Sequence, residues 1–163
     1  IRAAAKDSRI GAIVIDTDEF EGAGQPTLEE VARALAEFRA TGKKVVARGT
    51  AFMKPQYYLA AQADEIYLDS LGFVLVDGYG RYQMFFKDAL DKLGVDVNVF
   101  RAGKFKSAAE IFMRTDMSPE EREQSLAYLN VLWAQYQKSV TGARLRSHQT
   151  AARPIGPPWR TPL

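Results

Sequence analysis

Two lysines stand close together where a strand-like segment passes into a helix. In the stretch FRAGKFKSAAEIF, residues 100–112, Lys104 and Lys106 precede the helical pattern. The first turn of a helix carries a partial positive charge from its unpaired N–H groups, so a cation is poorly stabilised there. A helix turns about 100° per residue, so the two side chains point to nearly opposite sides and only one can face a given site.

A lysine in such a position can serve as a general base if it is held uncharged. The ordinary lysine pKa is near 10.4, so a base at neutral pH needs a fall of about 3 units, roughly 4 kcal/mol. Burial near a helix N-terminus lowers a lysine pKa because both disfavour the ammonium. A neutral amine can then take the proton of a serine hydroxyl, as in Ser-Lys dyads. In the alternative interpretation the lysines point into water. Glu110, one turn after Lys106, could pair with that lysine or merely balance its charge.

The composition argues against several other kinds of site. The chain has 163 residues, with no cysteine and a single histidine, His148. We therefore expect no disulfide, no metal site built from thiolates or histidines, and no Ser-His-Asp triad. No GxxxxGK[ST] phosphate loop occurs, and no apolar run approaches the roughly 18–20 residues of a membrane span. We predict neither a metal nor a cofactor.

The order of the elements predicts an α/β fold. Residues 10–16, IGAIVID, form a continuous apolar run, as expected of a strand buried on both faces. KKVVARG, EIYLD and the segment 95–102 read as further strands, and RYQMFFKDALDKLG reads as one of the helices between them. This alternation predicts a mainly parallel sheet with flanking helices, followed by a long helix.

Two helix starts carry capping signals. Thr27 stands three residues before Glu30, a capping-box pattern that opens a helix closing at Gly42. Ser118 precedes Pro119 and an acidic first turn, which predicts the N-cap of the long helix.

The turn after the first strand holds small and acidic residues. Backbone N–H groups at Gly22 and Gly24 could face an oxyanion, although a tight turn explains the same glycines. Asp16 and Asp18 end the strand, and we interpret them as capping or solvated groups rather than metal ligands.

The composition changes from about Thr141. Residues 141–163 contain four prolines, four arginines and no acid, without apolar periodicity. We therefore predict a domain over 1–140 and an unstructured or non-native tail over 141–163. Since the net charge of +2 arises in this tail, it does not indicate a nucleic-acid partner.

The residues around Lys106 also carry a family resemblance. The FRxGxFKSA motif, followed by Met-Ser-Pro and Arg122, resembles the N-terminal half of the bacterial signal peptide peptidase A, or protease IV, family. The segments GQPT, ALAEFRATGKKV, QYYLAAQADEIYL and DALDKLGV extend the resemblance over roughly residues 1–140. It implies a Clp-protease/crotonase-like fold and a Ser/Lys peptidase. Lys106 matches the general base of that family, and Lys104 falls on a variable position.

The resemblance also implies that the nucleophile is absent from this chain. The family's serine lies in a Gly-rich turn entering a helix of a second domain copy, and Lys54 occupies the corresponding place here. We therefore expect a fragment that needs a missing C-terminal half. A reading-frame error or truncation near Thr141 would explain why the tail departs from the family pattern.

The expected function follows from the same resemblance. It implies an oligomeric enzyme on the periplasmic face of the inner membrane, held by an N-terminal anchor and degrading cleaved signal peptides. One alternative stays open: a crotonase-like acyl-CoA enzyme or a non-catalytic module on the same fold, with Lys106 incidental.

Overall fold

The computed structural model describes residues 1–98 and 109–150, and of residues 147–150 the backbone alone. The elements in chain order are α1 (Arg2–Lys6), β1 (Ala12–Asp16), α2 (Gln25–Ala40), β2 (Lys44–Met53), α3 (Lys54–Ala60), β3 (Glu65–Leu75), α4 (Lys87–Lys92), α5 (Glu110–Met113) and α6 (Pro119–Thr150). The predicted α/β class, with a parallel sheet, flanking helices and a long final helix, is confirmed.

The described strands form one parallel sheet in the order β1-β2-β3. Ile13 lies opposite Val45 and Ile15 opposite Ala47, so these side chains share one face. That face packs against α2 and the residues around α3. The buried cluster there comprises Leu35, Phe38, Val45, Ala47, Phe52, Ala60 and Ala63.

Strand β1 is buried on one face, not on both as its apolar run predicted. Ile13 and Ile15 pack against the core, whereas Val14 between them is 63% exposed. Alternate side chains of a strand point to opposite faces, and the core cluster lies on one of these faces. The prediction of a doubly buried strand over 10–16 is therefore wrong for the residues described.

Strand β3 is longer than the EIYLD segment that predicted it. It pairs with β2 up to Leu68 and again from Phe73, with an irregularity between. A Cβ at Gly72 would lie 2.2 Å from the backbone oxygen of Thr50, so only glycine allows the two strands to approach here.

Helix α2 starts earlier than its capping-box pattern predicted. Its N-cap is Gly24, with no hydrogen bond from a capping side chain, so the prediction of Thr27 as the cap is wrong. Pro26 lies in the first turn, where the missing proline N–H costs nothing and its fixed φ suits a helix. The predicted end is confirmed, since Gly42 follows the helix with φ of +82°.

The chain divides into two compact units. The first comprises Ile1–Asp77 with the residues from Gln135 onward, and the second comprises Gly78–Ala134. In the second unit the helix predicted over residues 81–94 is reduced to α4, Lys87–Lys92. Residues 95–98 form no strand, and the rest of the predicted strand over 95–102 lies outside the described residues.

Helix α6 begins as predicted and ends later. Ser118 accepts a hydrogen bond from the backbone N–H of Glu121, at 3.2 Å, which confirms it as the cap. The helix continues to Thr150, so the expected absence of structure is wrong for residues 141–150. Five of these ten residues are good helix formers and the tail's prolines come later, which the composition of the whole segment obscured. Residues 151–163 lie outside the described residues, and the boundary at 140 stays a prediction.

None of the helices in the described ranges is both long and apolar enough to cross a membrane.

Candidate active site

The carboxyl ends of the strands place several candidate residues at one edge of the sheet. Parallel strands end at a common edge, and β1, β2 and β3 end at Asp16, Met53 and Leu75. In open α/β sheets ligands bind outside these carboxyl ends. The turn after β1 and the first turn of α3 are therefore the parts of the first unit where chemistry is expected.

The glycine turn packs against the start of α3. Gly22 has φ of +138°, and a Cβ built there would lie 3.5 Å from Pro55. The side-chain amide of Gln56 donates a hydrogen bond to the carbonyl of Phe20 in the same turn. Gly24 is the N-cap of α2. The positive φ thus gives Gly22 a conformational role, whereas the extended backbone of Gly24 suits any residue, and an oxyanion role for either glycine stays a prediction.

The two aspartates after β1 tie the turn to β2. Asp16 forms an ion pair with Arg48, whose guanidinium lowers the pKa of that carboxyl, with a smaller contribution from the backbone N–H of Asp18. Asp18 accepts hydrogen bonds from the backbone N–H and the hydroxyl of Thr50, at 2.6 and 2.9 Å. The predicted role was capping or solvation, and the structure instead shows Asp16 in an ion pair and Asp18 bonded to the neighbouring strand.

Lys54, at the place of the expected nucleophile, is the first residue of α3. Its side chain is 18% exposed, and its ammonium lies 3.3 Å from a carboxylate oxygen of Asp77. Its carbonyl accepts a hydrogen bond from the hydroxyl of buried Tyr136, at 3.1 Å. Tyr136 in turn packs against Tyr58, with ring centroids 5.5 Å apart. A lysine held in this way supplies neither a hydroxyl nor a thiol for nucleophilic attack.

The predicted general base lies outside the described residues. The structure describes neither Lys106 nor Lys104. The described chain resumes shortly before Glu110, the first residue of α5. The roles assigned to these lysines therefore stay predictions.

The structure shows a contact of Glu110 that the sequence patterns missed. Its side chain is buried, and it accepts hydrogen bonds from the hydroxyl of Ser118 at 2.8 Å and from the backbone N–H of Ser118 at 3.3 Å. Ser118 lies eight residues further along, and the possible i,i+4 pairing of Glu110 with Lys106 stays a prediction because Lys106 lies outside the described residues. The capping signal at Ser118 was recognisable, but nothing in the sequence connected it with Glu110.

A family model covers most of the chain. The one described as Peptidase family S49 matches residues 37–159, which include the strands β2 and β3, Lys54 and Lys106.

Three curated proteins are similar over nearly the same length. The chain is 41% identical to Protease 4 of Haemophilus influenzae over 144 residues, 88% of the chain. It is 42% identical to Protease 4 of Salmonella typhi over 149 residues, 91% of the chain. It is 26% identical to "Serine protease SPPA, chloroplastic" of Arabidopsis thaliana over 140 residues, 86% of the chain. The chain spans only 23%, 24% and 20% of the lengths of these relatives.

Proposed function

Because the chain belongs to peptidase family S49, we propose that it supplies the general-base lysine, Lys106, of a serine peptidase. The nucleophilic serine of this peptidase lies on another part of the full-length protein. The family match across Lys106 supports the proposal, as do the names of the relatives, which include two proteases named Protease 4 and one serine protease.

The observation that carries the proposal is the identity and setting of Lys54. The family resemblance places the nucleophile at the start of this helix, where a serine hydroxyl would stand at the carboxyl edge of the sheet. Here the position holds a lysine whose ammonium faces Asp77 at 3.3 Å. A Ser/Lys dyad needs a hydroxyl and an amine, and Lys54 brings a second amine instead. We therefore interpret the carboxyl edge of this sheet as a scaffold. Under the proposal, the contribution of this chain to catalysis is the base, Lys106.

The proposed reaction is acyl transfer through a serine ester. The neutral amine of Lys106 takes the proton of the serine hydroxyl as the oxygen attacks the peptide carbonyl. The resulting ammonium gives that proton to the leaving amine, which breaks the peptide bond. A water molecule then attacks the ester, with the same lysine again acting as base, and releases the serine.

The substrates, partners and location of the enzyme belong to the same proposal. We infer cleaved signal peptides as substrates, assembly into a homo-oligomer, and attachment to the periplasmic face of the inner membrane. The similarity to Protease 4 and the resemblance to the signal peptide peptidase family support these assignments. The chemistry needs no metal or cofactor, because amine and hydroxyl suffice for it.

Substitution of the two neighbouring lysines in the full-length protein tests the assignment. Lys106→Ala should lower kcat/KM for a peptide ester about 10³-fold or more, in line with the loss of a general base from a dyad. Lys106→Arg should be equally inactive, since a guanidinium does not deprotonate at accessible pH. Lys104→Ala is the matched control and should retain nearly full activity. Substantial activity in Lys106→Arg, or its loss in Lys104→Ala, would show that Lys106 is not the base.

A further inference from the structure

A polar pocket lies in the first compact unit, between helices α2, α3 and α6. Its volume is about 330 Å³, at the lower end of the range of small-molecule pockets. The residues that line it are Glu29 and Ala32 of α2, Tyr58 of α3, and Gln135, Lys138, Ser139 and Arg146 of α6. The proposed peptidase reaction uses none of these side chains.

The wall formed by α6 is held in place against α3. Tyr136 donates a hydrogen bond from its hydroxyl to the carbonyl of Lys54, at 3.1 Å, and its ring packs against that of Tyr58 with centroids 5.5 Å apart. Gln135 and Ser139 are four residues apart and lie on one face of α6. The polar side chains of this face therefore stand at a defined place beside Tyr58.

The hydroxyl of Tyr58 is buried without a hydrogen-bond partner. The residue is 0% exposed, and among the described residues no group lies in hydrogen-bonding geometry with its hydroxyl. Burial raises the pKa of Tyr58, Ser139 lowers it to a smaller extent, and Glu29 adds to the rise, so the hydroxyl stays protonated at neutral pH. Ser139 and Glu29 also line the pocket, so the hydroxyl end of the ring is the end that borders it.

A buried hydroxyl without a partner is unfavourable, and a phenylalanine would fill the same space without that cost. The unused donor of Tyr58 therefore indicates a ligand that supplies an acceptor.

The charges around the pocket define the class of that ligand. Lys138 and Arg146 bring two positive charges and Glu29 one negative charge, which leaves an excess of one positive charge. One oxygen of Glu29 already accepts a hydrogen bond from the side-chain amide of Gln25, at 3.1 Å. A carboxylate only accepts hydrogen bonds, and its single negative charge matches the excess. A dianion would exceed it and be repelled by Glu29.

We propose that this pocket binds a small monocarboxylate, whose oxygens accept hydrogen bonds from the hydroxyls of Tyr58 and Ser139 while Lys138 neutralises its charge. The site is separate in its chemistry from the proposed peptidase reaction and does not depend on it.

Saturation-transfer NMR on the full-length protein tests the proposal, with propionate as the probe and propionamide as an uncharged control of nearly the same shape. Propionate should bind, and propionamide should bind about tenfold more weakly or not at all, because hydrogen bonds to a charged group are the stronger ones. Tyr58→Phe should raise the Kd for propionate about tenfold or more, as expected for the loss of one such bond. Lys138→Gln, at an exposed position, should raise it about two- to fivefold.

Tyr57→Phe is the matched control, since it removes the hydroxyl of a neighbouring tyrosine that does not line the pocket. Its Kd for propionate should stay within about twofold of the wild-type value. Phenylalanine at position 58 keeps the ring that packs against Tyr136, so Tyr58→Phe should fold and, without propionate, melt no lower than the wild type.

Four results would overturn the proposal. They are the absence of saturable propionate binding, an unchanged Kd in Tyr58→Phe, equal binding of propionamide, and tighter binding of inorganic phosphate than of propionate. The activity of Lys106→Arg bears on the proposed function alone, so the two proposals fail independently.

Discussion

Helices α3 and α6 both begin with a proline in the first turn, yet their starts are built in opposite ways. Helix α6 has Ser118 as a hydrogen-bonding cap and glutamates in its first turn. Helix α3 has Met53 at the cap, no capping side-chain bond, no acid, and Lys54 at its first position. Capping hydroxyls and acids stabilise a helix start, and a cation there is unfavourable.

This difference shows that the start of α3 departs from the local rules of helix capping. Departures from such rules are expected at functional sites, because selection there acts on chemistry rather than on stability. The start of α3 lies at the carboxyl edge of the sheet, the place of the serine in the resembling family. The start of α6 follows all the rules and anchors Glu110. The rules of helix capping are therefore followed at the start of α6 and not at the start of α3.

Ser118→Ala should produce the largest change in stability. It removes the cap of α6 and one of the donors to buried Glu110, so we expect a loss of about 2–3 kcal/mol in the free energy of unfolding. Thermal unfolding of the protein measures it, and hydrogen exchange at the amide of Glu121 should quicken. Ser118→Thr is the control and should lose much less. A loss below about 0.5 kcal/mol would mean that the cap contributes little.

Adding an N-cap hydroxyl to α3 should change the free energy of unfolding less, and should stabilise the protein. Met53→Ser places a hydroxyl at the N-cap, where the backbone is already extended. We expect a gain of about 0.5–1 kcal/mol relative to Met53→Ala, which shortens the side chain without adding a hydroxyl. Equal melting temperatures of the two variants would show that the start of α3 is not limited by its missing cap.

Removing the cation at the start of α3 should have the smallest effect on the free energy of unfolding. Lys54→Met keeps the aliphatic stem, loses the ion pair with exposed Asp77 and relieves the unfavourable charge at the helix start. These contributions oppose each other, and each is about 0.3–1 kcal/mol, so the net change in unfolding free energy should stay within about 0.5 kcal/mol. A loss above about 1.5 kcal/mol would instead identify the Lys54–Asp77 pair as a structural requirement.

Strong local signals made part of the fold predictable. The apolar runs indicated the parallel strands, and the Ser118–Pro119 pair located the start of α6 correctly. Burial of β1 was not predictable, because the exposure of Val14 depends on what covers the second face of the sheet. The cap of α2 was misplaced because Pro26 starts that helix without a capping side chain.

Less of the candidate site could be predicted. The position of Lys106 at a predicted helix start and a family resemblance identified it as a candidate. Lys106 itself lies outside the described residues. The contact between Lys54 and Asp77 joins the start of α3 to the chain after β3, so it depends on the topology of the sheet. The Glu110–Ser118 contact follows neither helical nor strand periodicity, since it links two helices across a turn.

The central claim is that this chain contributes the base of the peptidase and not its nucleophile. The most direct test is the position of the covalent adduct that a serine-directed fluorophosphonate forms on the full-length protein, mapped by mass spectrometry. We predict one modified serine outside the 163 residues of this chain, with labelling lost in Lys106→Arg and kept in Lys104→Ala. An adduct on a serine or threonine within this chain, or undiminished labelling of Lys106→Arg, would contradict the claim.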